Sequence, residues 1–565
     1  MNIDAENTSK KKGLLMQAGI LAMAGIISRI IGLLYRSPLA AIIGDEGNGY
    51  YTAAYAMYSI VLLISSYSIP SAMSKIISSR LALGEFKNAH KIFKCALVYV
   101  SIVGFVGSLI LFLGADILAA GRSAVVLRFF APTIFIFGFL GVLRGYFQAH
   151  KTMIPTSISQ VVEQVFNALV SVGGALFLTR LAGEADTSKR AMYGAIGSAL
   201  GTGSGVLVAL LLMMHVYYTN RKEIRKRLDS DKGKEISSKE IYKMIILIVT
   251  PFILSTFIYN LSTSLNATLF SRILMDVKEM DEATVAAMYG VFNGKSLVIT
   301  NLPIAFASAA SAAMIPEISG LYAKGDKEAA SMTISKVNKI ILLIAIPSAA
   351  GLFALSKPVM MILFPQKASI DEASMLLKIL AVTVVFYALS TVSNAVLQGI
   401  GRVNIPVVNA LIALIIQTAT LSILLLKTNL NNVALCIATI LYSLLMCILN
   451  SRALKKSIDT SNSFKKTYVL PTISAVVMGV FAYLTYRLVS FGAYKSLRPV
   501  GISFDEFMYS DYFVNVVASV IAIFVAIIVY FVVLIRTGGA TQEEIKRFPK
   551  GASIARLLKR MHILK

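Results

Sequence analysis

Arg29 and Arg36 stand seven residues apart inside residues 14–43, a run otherwise free of charge. On a helix that spacing is roughly 10 Å along the axis and nearly one face. Ala18, Ala22, Gly25 and Gly32 fall on the same face. Arginine's planar fork of donors matches phosphate oxygens, and small neighbours leave room for such a group to approach. The competing reading packs the small residues on another helix and pairs the guanidinium groups with buried carboxylates or carbonyls. Acids are scarce in the apolar runs, which favours an anion ligand over a carboxylate partner.

Three further candidates lie in comparable runs. Lys295 sits about two turns from the outer end of the eighth run, a depth close to that of Arg36. Facing the same chamber, the three cations would form a ring; alternatively Lys295 snorkels outward. Asn293, Asn301 and Pro303 make its helix polar and kinked. Glu163 is the clearest acid within a run. It could carry a coupling proton, pair with a lysine or arginine, or face cytoplasmic water. Tyr51, Tyr55 and Tyr58 form a stripe that could stack on sugar rings, against the reading of an interfacial aromatic belt. Arg128, Arg180, Arg272 and Arg487 lie near run ends and are expected to snorkel, as is Arg144, within two turns of a cytoplasmic end.

Other chemistry is not written in the chain. Cys95, Cys436 and Cys447 match no metal or redox spacing, and the four histidines form no HxxxH pair. No metal or cofactor is expected. There is no glycine loop ending in GK[ST], no GxSxG and no His-paired nucleophile, so a transporter is expected rather than an enzyme.

The elements that must hold these side chains follow from composition. Of 565 residues 56% are hydrophobic and 15% charged, and the mean hydropathy is +0.74. A soluble chain of this size needs more polar surface. Apolar blocks of about 20 residues or more span a hydrocarbon core, where the backbone must pair internally as helix. The blocks predict about fourteen transmembrane helices near 14–43, 51–77, 92–119, 125–149, 154–180, 191–219, 241–271, 286–316, 337–364, 372–400, 405–427, 431–451, 468–491 and 512–536. The first follows Lys10, Lys11 and Lys12 and is a membrane helix rather than a signal peptide.

The net charge of +25 would suggest nucleic acid in a soluble protein, but most of it lies in alternate loops. Arg80, Lys87, Lys91, Lys151, the run 221–239, Lys324, Lys327, Arg402 and Arg452 mark one side. Asp45, Glu46, Glu184, Asp186, Asp276, Glu282, Asp371, Glu372, Asp505 and Glu506 mark the other. The positive-inside rule makes the first side cytoplasmic, with both termini inside and no nucleic-acid partner.

The polar stretch 221–240 divides twelve helices into six and six. ISSRLALGEFKNA at 77–89 resembles ISGLYAKGDKEAA at 318–330, and QAHKTMIP at 148–155 resembles QGIGRVNIP at 398–406. Order and side agree, which predicts two parallel lobes, 1–220 and 241–455, with a substrate site at their interface. Helices 13 and 14 occupy 468–536. The basic tail 537–565, with Ile554, Leu557, Leu558 and Met561 at helical spacing, either lies on the anionic inner leaflet or is an ordinary tail. A monomer is the default reading.

Taken together, GIISRIIGLLYRSPLAAIIG at 25–44, MIPEIS at 314–319 and LQGIGRVNIP at 397–406 resemble MurJ/SpoVB-type proteins of the multidrug/oligosaccharidyl-lipid/polysaccharide exporter (MOP) superfamily. The resemblance covers essentially the whole chain and is nearest to the SpoVB/YtgP-like branch of Gram-positive bacteria. It implies a MATE/MurJ-like fold in a bacterial plasma membrane and flipping of lipid II for peptidoglycan synthesis by alternating access. It implies further that Arg29, Arg36 and Lys295 line the cavity and that helices 13 and 14 border a groove for the polyprenyl tail. The sequence departs from the pattern at Gly49, where Gram-negative members place an acid, and in a missing helix-2 cation. Asn260, Thr263 and Asn266 stand without the acid of a sodium site, which speaks against sodium coupling. The alternatives are a flippase for another lipid-linked glycan, a MATE-type drug/cation antiporter, which would need buried acids, and a non-transporting scaffold of cell-wall assembly.

Overall fold

A computed structural model describes residues 20–539 except 22, 68, 184–185, 232, 234, 459–464, 498–502 and 510. Ala18, Ala22, Glu184 and the tail residues 554–561 lie outside the described residues. The described chain is helical with no strand. Ten helices are long and apolar enough to cross a membrane, or eleven counting the pair Lys367–Leu380 and Thr383–Gly399, bent by 44°. The protein is an all-α, multi-pass membrane protein.

The chain divides by its contacts into two compact units, Met1–Gly290 and Val291–Lys565. The first unit begins with α1, Met23–Leu34. Next come α2 (Arg36–Leu62), α3 (Ile69–Ala82), α4 (Phe86–Leu113) and the short α5 (Ala115–Leu118). Then follow α6 (Arg122–Ala149), α7 (Ile154–Leu181), α8 (Thr187–Thr219), α9 (Arg221–Ser230), α10 (Ser238–Arg272) and α11 (Glu282–Tyr289).

Tyr35 does not break the first span. Its φ of −72° and ψ of −19° are helical. The bonds Tyr35 N to Ile31 O and Leu39 N to Tyr35 O, both 3.1 Å, carry the helix through. The break falls at Gly44, whose φ of 68° and ψ of −178° are open to glycine. The helix therefore kinks at Gly44, and no loop separates it from Asp45 and Glu46, where the sequence led one to expect a connection.

Small residues set the packing around Glu163. Gly197, Gly201 and Gly205 repeat every four residues on α8, and a Cβ at any of them would collide with α7. That is the small-residue seam by which membrane helices bring their backbones close. At the other end, Gly49 of α2 packs on the carbonyl of Ala286 in α11, and Gly290 packs on the carbonyl of Asp45. Asn48 Nδ2 donates to Gly290 O at 3.2 Å, closing this backbone-to-backbone contact.

The second unit holds α12 (Leu297–Ala323), α13 (Lys327–Ala354), α14 (Ser356–Leu363), α15 (Ile370–Leu380) and α16 (Thr383–Gly399). It continues through α17 (Asn404–Lys427), α18 (Asn432–Ser457), α19 (Leu470–Leu497), α20 (Phe504–Met508) and α21 (Tyr512–Arg536). A π-helical segment, Gly290–Ser296, leads into α12 and carries Lys295. The last two long helices pack on each other and on α13. Tyr486 donates to Asn515 Oδ1 at 2.7 Å, and Asn515 Nδ2 donates to Pro358 O at 3.1 Å. Aspartates cap helices in both units: Asp186 accepts from Lys189 N, Asp281 from Thr284 N, Asp326 from Ala329 N and Asp511 from Val514 N.

Candidate functional site

Helix α1 has three distinct sides. Met23, Ile27, Ile30 and Leu34 are exposed apolar residues. Ala24 and Tyr35 are buried. Counting about 3.6 residues per turn, the apolar stripe lies about a third of a turn from Arg29 one way and the buried side about a third the other way. Arg29 is exposed and Arg36 half-buried on the remaining face. Gly25 and Gly32 share it. A Cβ on Gly25 would meet nothing within 4 Å, and one on Gly32 would meet only Gln164 Oε1, at 3.6 Å. Among the described residues, neither arginine has an ion-pair partner. Two cations thus project beside open space, apart from the apolar stripe, with an amide oxygen of α7 next to them. Gln164 was not singled out from sequence. Its signal was a second polar residue beside Glu163 in a run otherwise read as apolar.

Glu163 is paired. Its Oε2 accepts from Arg144 Nη2 at 2.7 Å, and Arg144 Nε donates to Ser159 Oγ at 2.9 Å. The side chains are 7% and 15% exposed, so both charges are held inside the protein. This corrects the expectation that Arg144 snorkels. Depth along its own helix did not reveal that α7 brings a hydroxyl and a carboxylate to it. Of the three readings of Glu163, pairing with an arginine is the one the geometry realises.

The tyrosine stripe also lies inside. Tyr51 and Tyr58 are 4% and 2% exposed, while Tyr55 stays partly open. All three pack on Phe130 of α6, with ring centroids 5.6, 5.9 and 4.7 Å away for Tyr51, Tyr55 and Tyr58. The Tyr51 hydroxyl lies 3.4 Å from Thr202 Oγ1. Tyr51 and Tyr58 are therefore covered within the protein rather than set in an interfacial belt. Tyr55, with one exposed edge, remains the member able to touch a ligand.

Lys295, in the second unit, is 1% exposed. Its Nζ donates to Ser369 Oγ at 2.8 Å, and neighbouring Ser296 Oγ donates to Ala373 O at 2.9 Å. The ammonium is enclosed near the start of α15 rather than presented to an open chamber. Near the same end of α15, Asp371 pairs with Lys357, and Glu372 accepts from Asn432 Nδ2 at 2.7 Å. Of the expected snorkelling cations, Arg128 pairs with Asp116, and Arg272 Nη2 donates to the carbonyl of Ile117 at 3.1 Å. Among the described residues no group of three His, Cys, Asp or Glu could hold a metal.

The sequence matches the family described as polysaccharide biosynthesis protein over residues 14–322. It matches the MatE family over 251–423. Stage V sporulation protein B of Bacillus subtilis (strain 168) is 25% identical over 492 residues, covering 85% of this chain and 91% of that protein. The protein named Lipid II flippase MurJ of the same organism is 23% identical over 415 residues, covering 70% and 75%. Among solved structures, Lipid II flippase MurJ in an inward closed conformation matches with a TM-score of 0.64 at 15% identity, covering 91% of this chain and 97% of that one. The same fold is found in an inward-facing structure of a multidrug resistance MATE family transporter, with a TM-score of 0.52 at 16% identity, covering 79% of this chain and 96% of that one.

Proposed function

As the chain belongs to the polysaccharide biosynthesis protein family, we propose that it moves a polyprenyl-pyrophosphate-linked cell-wall precursor, lipid II foremost, from the inner to the outer leaflet of a bacterial membrane. The observation that carries this reading is the Arg29 face of α1. A guanidinium deep in an apolar span is costly unless it meets water, a partner or a charged cargo. Here it stands beside open space, without a carboxylate among the described residues and turned from the apolar stripe.

In this mechanism the pyrophosphate enters from the basic, cytoplasmic side, where both termini also lie. Arg29 and Arg36 take its oxygens through charge-assisted, forked hydrogen bonds. Gly25 and Gly32 let the headgroup close on the helix, with Gln164 and Tyr55 meeting its sugars. The lipid tail remains in the membrane along α19 and α21, and the two halves of the chain alternate access. The likeness to the protein named Lipid II flippase MurJ supports lipid II over other lipid-linked glycans. A cation antiporter is less well supported, because the buried acid it would use, Glu163, is neutralised by Arg144.

The test is depletion of the protein in its parent cell with labelled lipid II followed in each leaflet. Accumulation on the inner side, relieved by the wild type and not by Arg29→Ala or Arg36→Ala, supports the reading. Normal lipid II flux with loss of another glycan at the surface moves the assignment to that glycan. Full rescue by the arginine variants removes the proposed site.

A further inference from the structure

The two first-half loops of the repeated pair, 77–89 and 148–155, meet α9 in the first unit, and a cavity of about 180 Å³ opens between them. The repeat explains the loops but not two of the residues that line this cavity. His90 follows the first loop and His150 lies in the second, where the second-half copies carry Ser331 and Ile400. Two of the chain's four histidines thus converge on one cavity that the transport mechanism leaves unused.

The apolar lining mixes aromatic and aliphatic side chains: Phe86, Tyr146 and Phe147 with Leu81, Ile224 and Leu228. The Tyr146 ring lies 4.5 Å from the His150 ring and 4.6 Å from Phe93, so it is firmly backed. The edge is polar. His90 Nδ1 is buried without a hydrogen-bond partner among the described residues. His150 Nδ1 lies 2.9 Å from the Tyr146 carbonyl, which commits that nitrogen and leaves Nε2 available. Asn220, Glu223 and Arg227 complete the rim from the α9 side, the last two forming an exposed ion pair.

The lid is fastened. Asp231 accepts from Lys87 N at 2.8 Å and from Gly233 N at 2.7 Å. Ile236 N donates to Asn88 Oδ1 at 2.8 Å, and Lys91 pairs with Glu235 at 3.0 Å. Three segments line the cavity, and the contacts that tie the chain after α9 to α4 lie outside that lining.

We propose that this cavity binds a nucleotide, its planar heteroaromatic ring within the mixed aromatic and aliphatic lining and its phosphate at Arg227. The space suits one ring, since a cavity of about 150 Å³ holds a benzene. Aromatic side chains stack on any base. The imidazoles and amide offer both donors and acceptors to a ring edge, and the guanidinium suits phosphate. A bare phosphate would have no use for the walls, and a metal lacks a third ligand among the described residues.

The test is isothermal titration of the full-length protein in detergent with UMP, AMP, uridine, adenosine and inorganic phosphate. At least one nucleotide is expected to bind. His90→Ala should weaken that nucleotide and its nucleoside alike by about tenfold. Arg227→Ala should weaken the nucleotide only. In case a variant fails to fold, hydrogen exchange of the wild type should show α9 protected by the nucleotide. No binding of any nucleotide at millimolar concentration, equal binding of phosphate alone, or binding that leaves α9 exchange and both variants unchanged would overturn the proposal.

Discussion

Arg144 of α6 and Glu163 of α7 meet at 2.7 Å in the interior of the first unit, with Ser159 taking a second guanidinium donor. Removing one partner leaves the other charge buried and unpaired. Arg144→Ala or Glu163→Ala should each cost about 3–5 kcal/mol of stability. The double variant Arg144→Met, Glu163→Leu should recover most of that loss, because it removes both desolvation penalties at once. Melting temperature in detergent reads all three. Single variants as stable as the wild type would show that the pair carries no structural load.

Glycines at Gly25 and Gly49 should respond in opposite ways. A Cβ on Gly49 collides with the Ala286 carbonyl, whereas one on Gly25 meets nothing. Gly49→Val should lower stability by about 1–3 kcal/mol. Gly25→Ala should raise it by about 0.5–1 kcal/mol, as expected for an open helical site. If Gly25 leaves room for a headgroup, Gly25→Leu should reduce transport while stability holds. Equal thermal shifts at both glycines would contradict the packing described.

The lid over the histidine cavity should loosen in acid. Burial, reinforced by the Arg227 charge and opposed by the Tyr146 carbonyl, holds His150 below the ordinary imidazole range. A base whose folded value is lowered takes up its proton more readily in the opened state. The lid is then fully stabilised above about pH 6.5 and loses stability as pH falls towards the folded value. Protection factors of the α9 amides, which take out the intrinsic pH dependence of exchange, should therefore fall between about pH 7.5 and pH 5.5, and His150→Gln should flatten the change. Asp231 works in a lower window. Its two backbone donors lower its value, so its latch is complete above the ordinary carboxylate range and fails only as pH drops below it. Asp231→Asn should speed α9 exchange at neutral pH without altering the His150-dependent slope.

Much of the fold was legible because bilayer-length apolar runs leave the backbone little choice but helix. Starts and stops followed local chemistry: Pro155 just inside α7, Asp511 capping α21 and Gly44 kinking α2. The shared face of Arg29, Arg36, Gly25 and Gly32 was legible for the same reason, since one helix decides it. What needed a second helix was not. Arg144 read as a snorkelling residue until α7 supplied Ser159 and Glu163. Tyr51 and Tyr58 read as a belt until Phe130 covered them. Lys295 was expected in an open chamber, but Ser369, 74 residues away, holds its ammonium. No periodicity within a single segment carries that information.

Binding of a polyprenyl-pyrophosphate glycan to the purified protein tests the role of the Arg29 face most directly. Titrating lipid II in detergent against wild type, Arg29→Ala, Arg36→Ala and the double variant, each checked for an unchanged melting temperature, isolates the contribution of the two guanidinium groups. Each charge-assisted contact is worth about 1.5–3 kcal/mol, so each single change should weaken binding by about tenfold or more. Wild-type affinity in the double variant would contradict the assignment of these arginines to the cargo.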